Sequence, residues 1–145
     1  MTEHVLVRQL DKDLPLPSYA HLYDAGFDLF AGSSLDLEPG GRATVGTGIA
    51  VAIPQGYVGF IVPRSGMAAH SGVTVLNAPG TVDAGYRDEV RVLLVNLDRS
   101  HVHHIERGDR IAQMVIQPII RVVLAAAEKL PPSERGLRGL GSSGR

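Results

Sequence analysis

The chain contains no cysteine. No disulfide can staple it and nothing in it points to an oxidising compartment, so a cytoplasmic protein is expected. Long hydrophobic runs are missing as well: no stretch approaches the roughly 18 apolar residues that cross a bilayer. The opening residues, Met1 to Val5, lack the basic-then-apolar order of a secretory signal. Charge of one sign is also scarce. Fourteen Lys and Arg stand against fifteen Asp and Glu, for a formal net charge of −1, so there is no basic face of the kind that a nucleic-acid backbone requires. These absences argue against membrane and nucleic-acid partners. They leave room for one small anion held by a few placed arginines.

What the 145 residues do contain is a balance of 44% hydrophobic and 20% charged residues, which suits one globular domain with a buried core. The apolar runs are short and rich in Val and Ile. His4 to Arg8, Ala43 to Val45, Gly48 to Ile53, Tyr57 to Val62, Val90 to Leu97, His101 to Ile105, Arg110 to Ile116 and Ile119 to Ala125 read as strands. Turn residues separate most of them, as in Glu38-Pro-Gly-Gly41, Pro54-Gln-Gly56 and Arg107-Gly-Asp109. Strands so closely spaced, with no helices between, predict an all-β antiparallel barrel or jelly roll. One short helix is expected over Ser65 to His70. The last fifteen residues hold four Gly, three Ser, two Pro and three Arg with one Glu, a +2 segment too poor in apolar surface to fold alone. Residues 1–130 therefore read as the folded domain and 131–145 as a mobile tail.

The most informative stretch is Asn77-Ala-Pro-Gly-Thr-Val-Asp83-Ala-Gly-Tyr86. It sets one carboxylate at a tight turn, with an amide six residues before it, an aromatic ring three residues after it and a strand-forming run next. No helical period follows, so Asp83 is not a helix cap. Such a group can grip a small polar molecule and activate a water. Pro63-Arg64-Ser65-Gly66 follows a strand and opens the expected helix, where a guanidinium, a hydroxyl and free N–H groups face the same way toward a phosphate. Ser65 lacks the G-x-S-x-G setting of a nucleophile. Asp28, in Ala25-Gly-Phe-Asp-Leu29, is a carboxylate inside an apolar strand and needs a positive partner. In the tail, Gly139-Leu-Gly-Ser-Ser-Gly144 has the G-x-G-x-x-G pattern but no strand before it and no helix after it, so it is no dinucleotide fingerprint. Its amides suit an anion nest, to which Arg135 adds charge. His101-Val-His103-His104 reads as a solvated face, with His101 and His103 on one side of a strand and no carboxylate partner evident.

In order and spacing these pieces resemble the five motifs of the trimeric dUTP pyrophosphatases (dUTPases) of the bacterial type: Ala25 to Leu29, Pro63 to Gly66, Asn77 to Glu89, Arg107 to Gln113 and Arg135 to Gly144. The resemblance runs from about Leu14 to the C-terminus. It implies a jelly-roll-like β-barrel, a homotrimer whose interfaces hold the active sites, and a C-terminal arm that closes over the nucleotide. It further implies hydrolysis of dUTP to dUMP and pyrophosphate by water attack at the α-phosphate, which limits uracil in DNA and supplies dUMP. Asp83 would be the general base. Tyr86 would lie against the deoxyribose and exclude a 2′-hydroxyl. Asn77 and the backbone near Thr81, Val82 and Arg91 would bind the uracil edge; Arg64, Ser65, Gly66 and Gln113 the phosphates. Arg135, Leu140, Gly141 and Ser142 would cover the substrate. Mg2+ would be held by the triphosphate and waters, with Asp28 reached through one of those waters.

Two positions depart from the family pattern. Leu140 stands where the family carries an aromatic that stacks on uracil, and weaker nucleotide capture is expected because a leucine lacks the π face. Asp88 stands where the family has Gly. Asp tolerates left-handed backbone, and a second carboxylate near Asp83 would disfavour the charged form of the base. The alternatives are a related dCTP deaminase, which uses a catalytic Glu and lacks such a tail, and a non-catalytic nucleotide-sensing trimer.

Overall fold

The computed structural model describes residues 3–140 and Ser143. Ten strands and one short helix follow each other: β1 (Leu6–Gln9), β2 (Gly26–Phe30), β3 (Leu35–Leu37), β4 (Arg42–Ala52), β5 (Tyr57–Val62), α1 (Ser65–Ser71), β6 (Val73–Val75), β7 (Gly80–Val82), β8 (Glu89–Asn96), β9 (His103–Ile105) and β10 (Arg110–Pro118). They form two four-stranded antiparallel sheets, ordered β1-β4-β8-β6 and β2-β10-β5-β7, and a β3-β9 ribbon. The sheets face each other in a jelly-roll-like arrangement without one continuous ladder around the molecule.

Side-chain alternation explains the packing. Along β8, Val90, Val92, Leu94 and Asn96 point inward while Arg91 and Leu93 point outward. Val45 and Val73 from the adjoining strands β4 and β6, and Leu29, Ile111 and Met114 from the other sheet, share one core with them. Each such side chain contributes about 1.5–3 kcal/mol by leaving water. Asn96 is the polar exception and is fully used: its amide nitrogen donates to the Leu37 and His101 carbonyls, both at 2.9 Å, and its oxygen accepts the Asp98 N–H at 2.9 Å. It stitches the ribbon to the main sheet.

The runs 43–45 and 48–53 are one strand, β4, interrupted by a register shift between Gly46 and Ala50. The strands β3, β6 and β7, each three residues long, carry too short a pattern to be read from sequence. The expected strand over Ile119–Ala125 is absent. After Pro118 the chain leaves the sheet, with the Ile119 N–H on the Gly56 carbonyl at 2.8 Å, and Ile120, Val123 and Leu124 are about nine-tenths exposed or more. Strand propensity is realised only against a partner strand and a covered face, and the described residues offer this segment neither.

His101 and His104 are exposed, as a solvated face requires, but two details depart from expectation. His101 lies before β9, not in it, and two separate carboxylates are present: Asp98 Oδ1 is 3.1 Å from His101 Nδ1, and Asp36 Oδ1 is 2.6 Å from His104 Nδ1. The Ser100 and His101 amides, then the His101 ring, hold the Asp98 carboxyl down to about 2. The Asp36 hydrogen bond, then its charge, raises His104 above the ordinary imidazole value. A folded-state value above the unfolded one stabilises at low pH and is lost as pH rises through the folded value. In an NMR titration His104 will therefore have a midpoint above that of a free imidazole, and Asp36→Asn will bring it down. The stability gap between wild type and Asp36→Asn will shrink as pH rises through that midpoint.

Candidate active site

The phosphate-like half of the site lies where β2, β10 and the start of α1 converge. Asp28, inside β2, accepts from Arg64 Nε at 3.0 Å and lies 3.5 Å from Arg110 Nη1. Arg64 Nη1 also donates to the Arg110 carbonyl at 3.2 Å. One carboxylate thus fixes two guanidiniums side by side, and the pairing that a strand carboxylate demands is met. Gln113 Nε2 donates to the Pro63 carbonyl at 3.1 Å, which anchors the loop into α1. Ser65 and Gly66 form the first turn of α1, which has no acidic residue and whose N–H groups lack intrahelical partners. These groups, with His21 and Asp24, surround a cleft of about 330 Å³.

Backbone irregularity makes this convergence possible. Strict alternation would put Arg110 and Gln113 on opposite faces of β10, yet both line the cleft. A register shift between Arg110 and Ala112 opposite β2 inserts the extra residue that turns them the same way. Gly26 leaves room for the Gln113 side chain: a Cβ there would lie 2.6 Å from Gln113 Oε1 and push that amide aside. Sequence reading missed Arg110 and His21 as site residues. Arg110 sat within a quoted motif, but only the bulge reveals its direction.

The second half is the segment between β6 and β8. It is not a simple two-stranded hairpin, because β7 leaves β8 and pairs with β5 on the other sheet, through Gly59↔Val82, Phe60↔Thr81 and Ile61↔Gly80. Buried Gly80 and Val82 against the β5 edge drive that divergence. β6 pairs with β8 only as far as Leu94, so among the described residues the earlier part of that β8 edge has no partner strand, which leaves a gap in the ladder. Leu93 O accepts the Leu76 N–H at 2.8 Å, and groups two residues apart on a strand point the same way, so the Arg91 backbone projects into the gap beyond the end of β6. Asn77 and exposed Thr81 lie on the segment that crosses it, with the Asn77 amide packed over Gly80. An edge of backbone donors and acceptors of this kind fits a planar ring carrying amide groups.

Asp83 closes the segment. Its carbonyl accepts the Tyr86 N–H at 3.0 Å, forming a four-residue turn. Its side chain is exposed, and among the described residues none bonds its carboxylate. Tyr86 packs partly against the core and donates its hydroxyl to the Glu89 carbonyl at 2.7 Å. Asp88 accepts the Glu89 N–H at 2.7 Å and pairs with Arg91 Nη1 at 2.9 Å. The Glu89 amide, then Arg91, hold its carboxyl below the usual range.

Asp83 lines a different cleft, of about 980 Å³, together with Pro54, Tyr57, Arg87 and Arg121. Among the described residues none lines both clefts. Within one chain, then, Asp83 and the cluster of Arg64 and Arg110 do not meet. Among the described residues, none of the tail from 131 onward lines either cleft. Arg135 is turned on its own segment, donating to the Arg138 carbonyl at 2.9 Å and the Gly139 carbonyl at 2.6 Å, and Leu140 is fully exposed. Gly141 and Ser142 lie outside the described residues.

Comparison with known proteins agrees with this geometry. The dUTPase family profile matches residues 12–144. The deoxyuridine 5'-triphosphate nucleotidohydrolase of Thermobifida fusca is 55% identical over 99% of this chain and 80% of that protein. That of Leifsonia xyli is 52% identical over 99% and 93%. Among solved structures, a Staphylococcus bacteriophage 80alpha dUTPase mutant with dUpNHpp superposes with a TM-score of 0.89 at 32% identity, covering 99% of this chain and all of that one. A phage phi11 dUTPase mutant, described for the coordination of a structural Mg(II) ion, gives 0.81 at 28% identity over 88% and 98%. Motif order, fold and near full-length similarity coincide: this chain belongs to the dUTPase family.

Proposed function

We propose that the protein hydrolyses dUTP to dUMP and pyrophosphate in the cytoplasm. The observation that carries the reading is the Asp28-braced pair of guanidiniums beside Gln113 and the open first turn of α1. That is a prebuilt site for several phosphate charges. The backbone-lined gap beside Asn77, Thr81, Val82 and Arg91 takes the uracil edge. Tyr86, locked by its hydroxyl, lies against the sugar and leaves no room for a 2′-hydroxyl. Asp83 removes a proton from the water that attacks the α-phosphorus. The bond from that phosphorus to the bridging oxygen breaks, and pyrophosphate leaves with the electron pair. Fixed donors from Arg64, Arg110, Ser65, Gly66 and Gln113 oppose the charge that develops.

Mg2+ would be held by the triphosphate and its waters, with Asp28 facing one of those waters. Among the described residues no three His, Asp or Glu converge on one point, and Asp28 already faces two guanidiniums. A carboxylate so engaged fits a metal-bound water better than the ion itself. The metal's chemistry there is to neutralise phosphate charge.

Two observations support a homotrimer. The clefts of Asp83 and of Arg64 are separate in one chain, so a second copy must bring them together. Ile120, Val122, Val123, Leu124 and Leu130 are at least seven-tenths exposed, an apolar arm that needs another copy to cover it. In this reading residues 1–130 build the body, and the tail from 131 to 145, with Arg135, Leu140, Gly141 and Ser142, closes over a bound nucleotide.

The decisive assay is pyrophosphate release from dUTP alongside ammonia release from dCTP. Ammonia, or binding of dUTP without turnover, overturns the reading; a solution mass other than three chains overturns the trimer. A second expectation concerns Leu140. Stacking on a base is worth about 1–3 kcal/mol, so Leu140→Phe will lower KM for dUTP by roughly fivefold or more, with kcat little changed.

A further inference from the structure

Where β4 loses register with β8, Gly46 pairs with Arg91 but Ala50 pairs with Glu89. Two more residues stand on β4 than a regular ladder allows. Gly48, in left-handed backbone at φ +70°, has its N–H displaced from that ladder. The Glu89 side chain supplies the missing acceptor, with Oε1 at 3.0 Å from the Gly48 nitrogen. Thr47 adds a bond from Oγ1 to the Val90 carbonyl at 2.6 Å. The carboxylate lies so close across the bulge that a Cβ on Gly46 would come within 2.5 Å of Oε1.

The same residue faces the substrate segment through its backbone. Its carbonyl accepts the Tyr86 hydroxyl and its N–H donates to Asp88. Its other carboxylate oxygen is 3.8 Å from Arg91 Nε, and Arg91 closes the ring onto Asp88. From the bulge the chain of bonds runs on: the Gly48 carbonyl accepts the Leu10 and Asp11 amides at 2.7 and 3.0 Å. Glu89 is therefore tied on one side to the β4 bulge, through its carboxylate, and on the other to the ring that makes the sugar wall, through its backbone.

We infer that Glu89 is a positioning residue for sugar selection: its carboxylate, seated on the β4 bulge, fixes the backbone carbonyl that holds Tyr86. The inference rests on the proposed dUTPase reading. With Glu89→Ala, Gly48 loses its acceptor and the start of β8 is free to shift. Tyr86 then moves away from the position that excludes a 2′-hydroxyl. Misplacing a positioned group by an ångström costs up to about 10²-fold, so the ratio of kcat/KM for dUTP over UTP will fall by about tenfold or more. Glu89→Gln keeps an acceptor for the Gly48 N–H and will keep most of the ratio.

The test measures kcat/KM for both nucleotides in wild type, Glu89→Ala, Glu89→Gln and Gly46→Ala. The last displaces the carboxylate without altering its charge, so it stands in should Glu89→Ala not fold. A core variant, Val45→Ala, controls for lost stability and should leave the ratio unchanged. Loss of selectivity in Glu89→Ala or Gly46→Ala, with retention in Glu89→Gln, supports the inference. Folded variants that discriminate as wild type does, or a Val45→Ala ratio that falls equally, overturn it. Wild type that turns over neither nucleotide overturns the function itself and is told apart by that alone.

Discussion

Asp83→Asn will lower kcat for dUTP by about 10²–10⁴-fold, the contribution expected of a positioned general base. The substitution keeps shape and removes only the ability to take a proton. Asp83 is exposed, and the described structure gives its carboxylate no structural partner, so folding will not suffer. The turn around it is held by backbone, through the Tyr86 N–H on the Asp83 carbonyl, and will survive. Binding of a non-hydrolysable dUTP analogue by calorimetry should therefore stay close to wild type while turnover collapses. A variant that keeps its rate removes Asp83 from the chemistry.

Arg64→Ala will cost about 10²–10³-fold in kcat/KM, the scale seen when one preorganised donor to a developing oxyanion is removed. Two effects add. The phosphates lose a guanidinium, and Asp28 loses the nearer of its two partners, at 3.0 Å against 3.5 Å for Arg110. A less compensated carboxylate then faces an incoming polyanion. Arg64→Lys will restore only part of the rate, because one ammonium cannot reproduce the fork that now serves Asp28 and the Arg110 carbonyl together. If the second effect is real, adding Asp28→Asn to Arg64→Ala will recover some binding. A double-mutant cycle on dUTP affinity measures that coupling, and strict additivity would rule it out.

How much of this was legible beforehand varies with the range of the interaction. Local signals read well: Pro63-Arg-Ser-Gly66 opens α1 as expected, and Asp28 does sit in a strand with a positive partner. Long-range pairing did not read. Nothing in Gly80-Thr-Val82 says that it will join β5 instead of β8, since the choice depends on burial against a strand some twenty residues earlier. Arg110 was missed because a bulge, invisible to period-2 counting, turns it beside Gln113. Ile119 to Ala125 has every mark of a strand and is none within one chain. The pattern was sound, but among the described residues no strand pairs with it. The histidines do form a solvated face, with His101 and His104 exposed, but the carboxylate beside His104 was not legible, because only β3-β9 pairing brings Asp36 to it.

The shared carboxylate of Asp28 has a last consequence, for the cycle and not the chemical step. Two bare guanidiniums held side by side would repel each other in the vacant enzyme and cling to any polyphosphate that arrived. With one negative charge built between them, the pair's two positive charges are reduced to a net of one (2 − 1), and leaving the cleft costs the departing pyrophosphate less. Weaker grip on the product is the advantage of a partly neutralised cradle.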